Sequence, residues 1–275
     1  MFDESNLTRR RLLAAAGTVP LAMAARRALA QTAEGQPMPG NAALPEPPGA
    51  RMGWAVVGLG SYALGQVIPE FPAARQAKLT AFVSGNPAKA RDLGARYGVE
   101  HLYDYRTYDR MADNPAIDCV YIVLPVGLHA EYTIRALEAG KHVLCEKPMA
   151  STSAECEAMI AAAKANDRQL GVAYRVHFEP TNREAQRRIK AGELGAIRAV
   201  QNAHGFNANP QFPPHKWRLE KALAGGGSMF DIGVYGLNTS LMMLEGDTPA
   251  SVSAVCACAG SGASSASAAN SALTA

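Results

Sequence analysis

Only two tryptophans occur among 275 residues, aromatic side chains make up 7% and charged ones 19%, below the roughly 25% charged residues of an average soluble domain. The formal net charge of +3 is small, and Arg9, Arg10, Arg11, Arg26 and Arg27 all lie near the N-terminus, so the rest of the chain is close to neutral. With so little basic excess, nucleic acid is not expected as a partner. Cysteine is scarce: Cys119, Cys145, Cys156, Cys256 and Cys258 are odd in number, and none belongs to a CxxC or a paired Cys/His pattern. That argues against a disulfide framework and against a zinc site, and no metal is expected. The chain also lacks an apolar run of about 20 residues, so no segment reads as a stable membrane anchor. What is present is 48% hydrophobic residues, enough for the core of a soluble globular protein of one or two domains.

Residues 1–30 read as an address. Thr8-Arg9-Arg10-Arg11-Leu12-Leu13 sets a twin arginine before a modest apolar stretch, Leu12 to Ala25, and Ala28-Leu29-Ala30 follows as an AxA-like cleavage site. This pattern predicts Tat export to the periplasm with cleavage near Gln31; the competing reading is a basic amphipathic first helix. Residues 31–50 carry Pro37, Pro39, Pro45, Pro47 and Pro48 and read as an extended arm, of the kind that lies across a neighbouring subunit.

At Trp54 to Val57 an apolar run opens into Gly58-Leu59-Gly60-Ser61-Tyr62-Ala63. This is the strand-to-helix turn of a dinucleotide site: Gly58 for the tight turn, Gly60 for close approach of a pyrophosphate, Ala63 small enough for helix-on-strand packing. A second strand, Ala77 to Ser84, lacks the acidic residue that an NAD site places at its end for the ribose 2′-hydroxyl. It offers Ser84 and, just inside the next helix (Pro87 to Tyr97), Lys89. A hydroxyl and an ammonium suit a 2′-phosphate, so NADP is favoured over NAD; the alternative for Lys89 is a solvated surface lysine. Helix and strand go on alternating: Tyr105 to Asp109 leads into a short helix, Asp118 to Pro125 is a near-continuous apolar strand, and a helix from Leu128 to about Ala139 ends at Gly140. The strand His142 to Cys145 then delivers Glu146-Lys147-Pro148. A charged pair at the C-terminal end of a buried strand is poorly explained by packing, because ligands bind at that edge of an open α/β sheet.

Ser151 is expected to cap a helix through about Ala165, and Gln169 to Tyr174 to close a Rossmann domain at residues 51–174. An incomplete α+β domain at 175–255 begins with a basic helix, Asn182 to Ala191, and a strand, Ile197 to His204. Ala224-Gly225-Gly226-Gly227-Ser228 then approaches a helix bearing Asp231, Tyr235 and Asn238. Asp231 and Tyr235 are four apart and share one helix face. Taken singly, Asp231 is a carboxylate favoured by a helix N-terminus and Tyr235 a packing tyrosine. Beside the glycine turn and Lys147, they read as proton chemistry for oxidising a hydroxyl, since a nearby ammonium favours a phenolate.

GLGSYA, VSGNPAKA, YIVLPVGLHAEY and AGKHVLCEKPMA occur in that order. Together they resemble the Gfo/Idh/MocA oxidoreductases over roughly residues 50 to 250. The resemblance implies a Rossmann domain followed by an α+β domain built on an open sheet, and an NADP-dependent oxidoreductase that acts on CH–OH groups of sugars and works as a homo-oligomer. It implies that Tyr235 is the acid/base, that Lys147 lowers its pKa and precedes an often cis Pro148, and that Asp231 orients the sugar. Many members carry histidine where this chain has Tyr235. The implied cofactor-binding set comprises Gly58, Leu59, Gly60, Ser61, Tyr62, Ser84, Lys89 and Tyr105, then Leu124, Pro125, His129, Glu146, Lys147 and Arg175, with Trp217 and Arg218 as a pair lying over the cofactor. His129 falls near the nicotinamide, while His177 and His204 are equally open to structural roles.

Pro249 to Val255 is expected to begin a strand, but 257–275 use only Ala, Cys, Gly, Ser, Asn, Leu and Thr. Such a segment buries too little apolar area to offset its ordering entropy, so 256–275 reads as a disordered low-complexity tail and the second domain as truncated. Two further readings follow: an exported dehydrogenase of the same family for another sugar or cyclitol, and a truncated nucleotide-binding remnant without activity.

Overall fold

A computed structural model of the chain describes residues 51–205, 208–244 and 249–253. The expected export signal, proline-rich arm and low-complexity tail lie outside the described residues. By density of contacts the chain divides into two compact units, Met1–Val123 and Leu124–Ala275. Within each unit the described strands pair in parallel.

In the first unit, β1 (Met52–Val57) pairs in parallel with β2 (Ala77–Val83) and β4 (Cys119–Ile122), and β2 with β3 (His101–Tyr103). Val56, Val57, Phe82 and Val83 are fully buried, as near-continuous apolar strands covered on both faces must be. Phe82 meets Tyr97 edge to face at 6.5 Å, in a core that includes Ile68, Phe71 and Leu79. Helix α1 (Pro87–Tyr97) takes the predicted bounds for local reasons: Asn86 accepts a hydrogen bond from Lys89 N at 3.0 Å, Pro87 occupies the first turn, and Gly98 ends the helix at φ +66°. The segment after the glycine turn is not the regular helix expected over Gln66 to Phe71. It is a π-helical turn at Ala63–Val67 followed by a 3₁₀ stretch at Ile68–Ala73, because Pro69 and Pro72 lack the N–H groups an α-helix needs.

In the second unit, a 3₁₀ turn (Val126–Leu128) leads into α2 (His129–Glu138), and Gly140 at φ +74° turns the chain into β5 (His142–Cys145). Helix α3 (Ser153–Ala165) is capped by Thr152 and not by the expected Ser151. Thr152 Oγ1 accepts from Glu155 N at 3.2 Å and Glu155 Oε2 accepts from Thr152 N at 2.9 Å. The reciprocal box needs a glutamate three residues on, and only Thr152 has one. Strand β6 (Leu170–Val172) pairs in parallel with β5. A 3₁₀ turn (Arg175–Phe178), α4 (Pro180–Lys190), a 3₁₀ segment (Pro213–Leu219), the one-turn α5 (Lys221–Ala224), a π-helical turn (Met229–Gly233) and α6 (Val234–Leu244) follow. The strands expected over 197–204 and from Pro249 are absent from the described residues: 197–204 and 249–253 carry no ladder. A strand exists only with a partner, and none is described beside either segment.

Gly127 packs where a side chain has no room, since an added Cβ would run into the carbonyl of Ala222. Gly127→Ala is therefore expected to destabilise the protein by about 1–3 kcal/mol. Chemical denaturation checks this; an unchanged midpoint would show that the loop and α5 are not held in register.

Candidate functional site

In the first unit, Gly58 adopts φ +93° and donates its N–H to Val83 O at 3.0 Å, which fixes the turn at the C-terminal end of β1. Gly60 O accepts the first helical bond, from Leu64 N at 3.0 Å. A Cβ placed on Gly60 would meet nothing within 4 Å, so open space lies in front of the turn, where Ser61 is exposed and Tyr62 half-buried. The first amides of a helix have no intrahelical partner and point outward. This is room and polarity for a pyrophosphate.

Ser84 is buried at the end of β2, and its Oγ accepts from Asn86 N at 3.1 Å. Lys89 is not a freely solvated lysine: its Nζ donates to Leu59 O at 2.9 Å, binding the first turn of α1 to the glycine turn. Two N–H donors of that ammonium remain. Tyr105 packs its ring beside Gly85, where an added Cβ would approach to 3.1 Å.

In the second unit, His129 is 1% exposed and sits between two carbonyls: Nδ1 is 2.8 Å from Pro148 O and Nε2 2.8 Å from Leu124 O. It ties the segment after β4 to the segment after β5. Burial, with a smaller contribution from the Lys147 charge, pushes its pKa below the ordinary value, against the pull of the carbonyls. Because the folded pKa lies below the unfolded 6.5, the unfolded chain binds the proton more readily, and stability is lost as pH falls below about 6.5. Thermal unfolding of the protein should show that acid slope, and His129→Asn should flatten it; an unaltered slope in the variant would assign the acid lability to other groups.

Pro125 precedes this segment, and its carbonyl accepts from Leu128 N at 2.9 Å. Glu146 is buried, and its Oε2 accepts from Lys147 N at 3.3 Å. The peptide bond between Lys147 and Pro148 is cis.

Lys147 is the centre of the site. Its Nζ donates to the backbone carbonyl of Asp231, lies 3.3 Å from Asp231 Oδ1, and sits 4.6 Å from the ring centroid of Tyr235. Arg218 Nε donates to the other carboxylate oxygen, Asp231 Oδ2, at 2.6 Å, and the guanidinium stacks 4.4 Å from the ring of Trp217. Lys147, Tyr235 and Asp231 are thus brought together. Asp231, which the resemblance assigns to the sugar, uses both oxygens on cations, and Arg218, which it assigns to the cofactor, holds Asp231. Arg175 is exposed at the head of its turn. His177 Nε2 donates to Asn238 Oδ1 at 2.6 Å, one helical turn beyond Tyr235.

A cavity of about 300 Å³ opens on this cluster, lined by Lys147, Asp231, Arg218, Trp217 and His129 on its polar side and by Val126, Phe230 and Ile232 on its apolar side. Phe230 escaped the sequence reading, although its signal was there. Gly225 and Gly226 leave space for a ring, and a Cβ on Gly226 would collide with Phe230. Among the described residues no group of three or more His, Cys, Asp and Glu is placed to hold a metal ion, and no helix is long and apolar enough to cross a membrane.

Comparison with known proteins places this arrangement. Residues 52–174 match the family described as "Oxidoreductase family, NAD-binding Rossmann fold", and residues 182–273 match the "GFO/IDH/MocA C-terminal domain". The chain is 37% identical over 199 residues to the D-xylose 1-dehydrogenase (NADP(+)) of Haloarcula marismortui, covering 70% of this chain and 54% of that protein. It therefore spans about half the length of the curated relatives it matches. Among solved structures it is similar to the aldose-aldose oxidoreductase of Caulobacter crescentus in complex with glycerol, at 43% identity and TM-score 0.64, over 70% of this chain and 57% of that one. It is also similar to an inositol dehydrogenase homolog of Azotobacter vinelandii in complex with NAD+, at 35% identity and TM-score 0.64, over 71% and 54% of the two chains. The glycine turn, Glu146 and Lys147 after β5, and the π-helical turn and α6 that carry Asp231 and Tyr235 all lie within the two family matches, and the chain belongs to the GFO/IDH/MocA oxidoreductase family.

Proposed function

We propose that the protein is an NADP-dependent sugar oxidoreductase of the glucose-fructose oxidoreductase type, exported by the Tat route to the periplasm, that keeps its cofactor bound while one sugar is oxidised and another reduced. The observation that carries the reading is the cluster in which Lys147 and Asp231 line the cavity and the ammonium of Lys147 also lies 4.6 Å from the ring centroid of Tyr235.

Bound nicotinamide supplies the two-electron acceptor. The open face of Gly60, the N-terminal amides after it, and Ser84 with Lys89 fit a phosphorylated dinucleotide. The remaining chemistry belongs to the chain. Lys147 holds a positive charge against the Tyr235 ring, which favours the phenolate. The phenolate accepts the proton of a sugar hydroxyl as hydride leaves the same carbon, and the carbonyl so formed departs. The second sugar reverses both transfers, with Tyr235 returning the proton. Phe230, Ile232 and Val126 exclude water from one side of the cavity.

The name of the Caulobacter relative, which couples one aldose to another, supports a two-sugar cycle, and that of the Haloarcula relative supports NADP. Export supports retention, since a dissociated cofactor would be lost outside the cytoplasm. The inositol dehydrogenase homolog favours a second reading, an exported dehydrogenase for another sugar or cyclitol with an external acceptor. Gel filtration and two-substrate kinetics test the first: NADP should co-elute with the protein and the kinetics should be ping-pong. Cofactor that washes out, or sequential kinetics, would favour the second.

A further inference from the structure

Asp231 faces two cations, and it does not hold them equally. Arg218 Nε is 2.6 Å from Oδ2, whereas Lys147 Nζ is 3.3 Å from Oδ1. The guanidinium is held on that line by two further contacts: Arg218 Nη1 donates to Pro214 O at 3.1 Å, and its plane lies over Trp217. All three charged side chains are largely withdrawn from water, at 10% exposure for Lys147, 16% for Asp231 and 27% for Arg218. Water therefore screens them poorly, and the local charge count matters.

From this geometry we infer that Arg218 is a positioning residue for proton transfer: by taking up the charge of Asp231, it leaves the charge of Lys147 available to Tyr235. Two cations and one carboxylate leave one net positive charge beside the phenol. Without Arg218, Lys147 and Asp231 form a neutral pair, and the carboxylate competes with the phenolate for the same ammonium.

The other charged or titratable groups around the site do not replace it. Glu146 is engaged with the backbone N–H of Lys147, His129 is buried between carbonyls, His177 is bonded to Asn238 one turn past Tyr235, His204 lies against Gly236 and is exposed, and Arg175 is exposed. Arg218 thus acts through Asp231 and Lys147, and no contact with substrate is needed for its effect.

The inference rests on the reading of Tyr235 as the proton acceptor, and a titration without turnover tests the two separately. In the full-length chain, ionisation of Tyr235 is followed by phenolate absorbance, as the difference between each protein and the same protein carrying Tyr235→Phe. Arg218→Gln should raise the pH of ionisation by about one unit or more. Arg218→Lys, which keeps a cation, should recover most of that shift, and Asp231→Asn should move ionisation the opposite way, to lower pH. Should Arg218→Gln fail to fold, the downward shift in Asp231→Asn still decides the charge count. No shift in Arg218→Gln, or no downward shift in Asp231→Asn, overturns the inference. Shifts of the expected sign in a protein that no sugar reduces would uphold the electrostatics and overturn the assigned reaction alone.

Discussion

Tyr235→Phe is expected to lower turnover about 10²-fold or more, with the cofactor still bound and KM for sugar little changed. The substitution is narrow. Phenylalanine keeps the ring face that Lys147 Nζ approaches at 4.6 Å. Only the hydroxyl is removed, the group proposed to take the proton. A packing tyrosine in the same place would lose a little stability and no rate. Single-turnover reduction of bound cofactor by sugar separates the two cases, because it reads hydride transfer without product release. An unchanged rate would remove Tyr235 from the mechanism and shift attention to His129 or a water.

Lys147→Met should cost more, about 10³-fold in the same measurement. The methionine approximates the length of the lysine stem, but three interactions vanish together: the bond to the Asp231 carbonyl, the ion pair with its carboxylate, and the charge against Tyr235. Asp231 would not be left bare, since Arg218 still neutralises it at 2.6 Å. The fold is therefore expected to survive, and the loss falls on the rate. Arg218 and Asp231 then cancel, the cation that approaches the Tyr235 ring is gone, and the alkaline shift of its ionisation should exceed that caused by Arg218→Gln. A Lys147→Met protein with near-normal hydride transfer would mean that the ammonium is a structural tie between the segment after β5 and the helix of Asp231.

Features with a strict local requirement were legible in the sequence. Helix α1 starts and stops where Asn86, Pro87 and Gly98 require, and β5 runs from His142 to Cys145 as its apolar residues predict. Where local rules compete, residue types alone do not decide. Ser151 and Thr152 both suit a helix cap, and only the position of Glu155 decides between them. The glycine turn was recognisable from residue types, but the irregular helix after it follows from two prolines that the helical spacing hid. β3 is three residues long, too short for any pattern.

Through-space pairing was least legible. Residues 197–204 have strand-like composition and no ladder, since composition supplies half of a strand and a neighbour the other half. The same holds at the site. Spacing put Asp231 and Tyr235 on one helix face, yet nothing in the spacing said that Arg218, thirteen residues earlier, closes on Asp231 Oδ2. Nor did it say that His129 would be spent on two carbonyls.

The account stands most directly on one absorbance spectrum of the purified full-length protein, taken before and after glucose is added with no external nucleotide. Retained NADP and a working proton path predict a new reduced-nicotinamide band after glucose, which disappears when fructose follows. A protein that carries NADP and shows no band with glucose or any other sugar would contradict it.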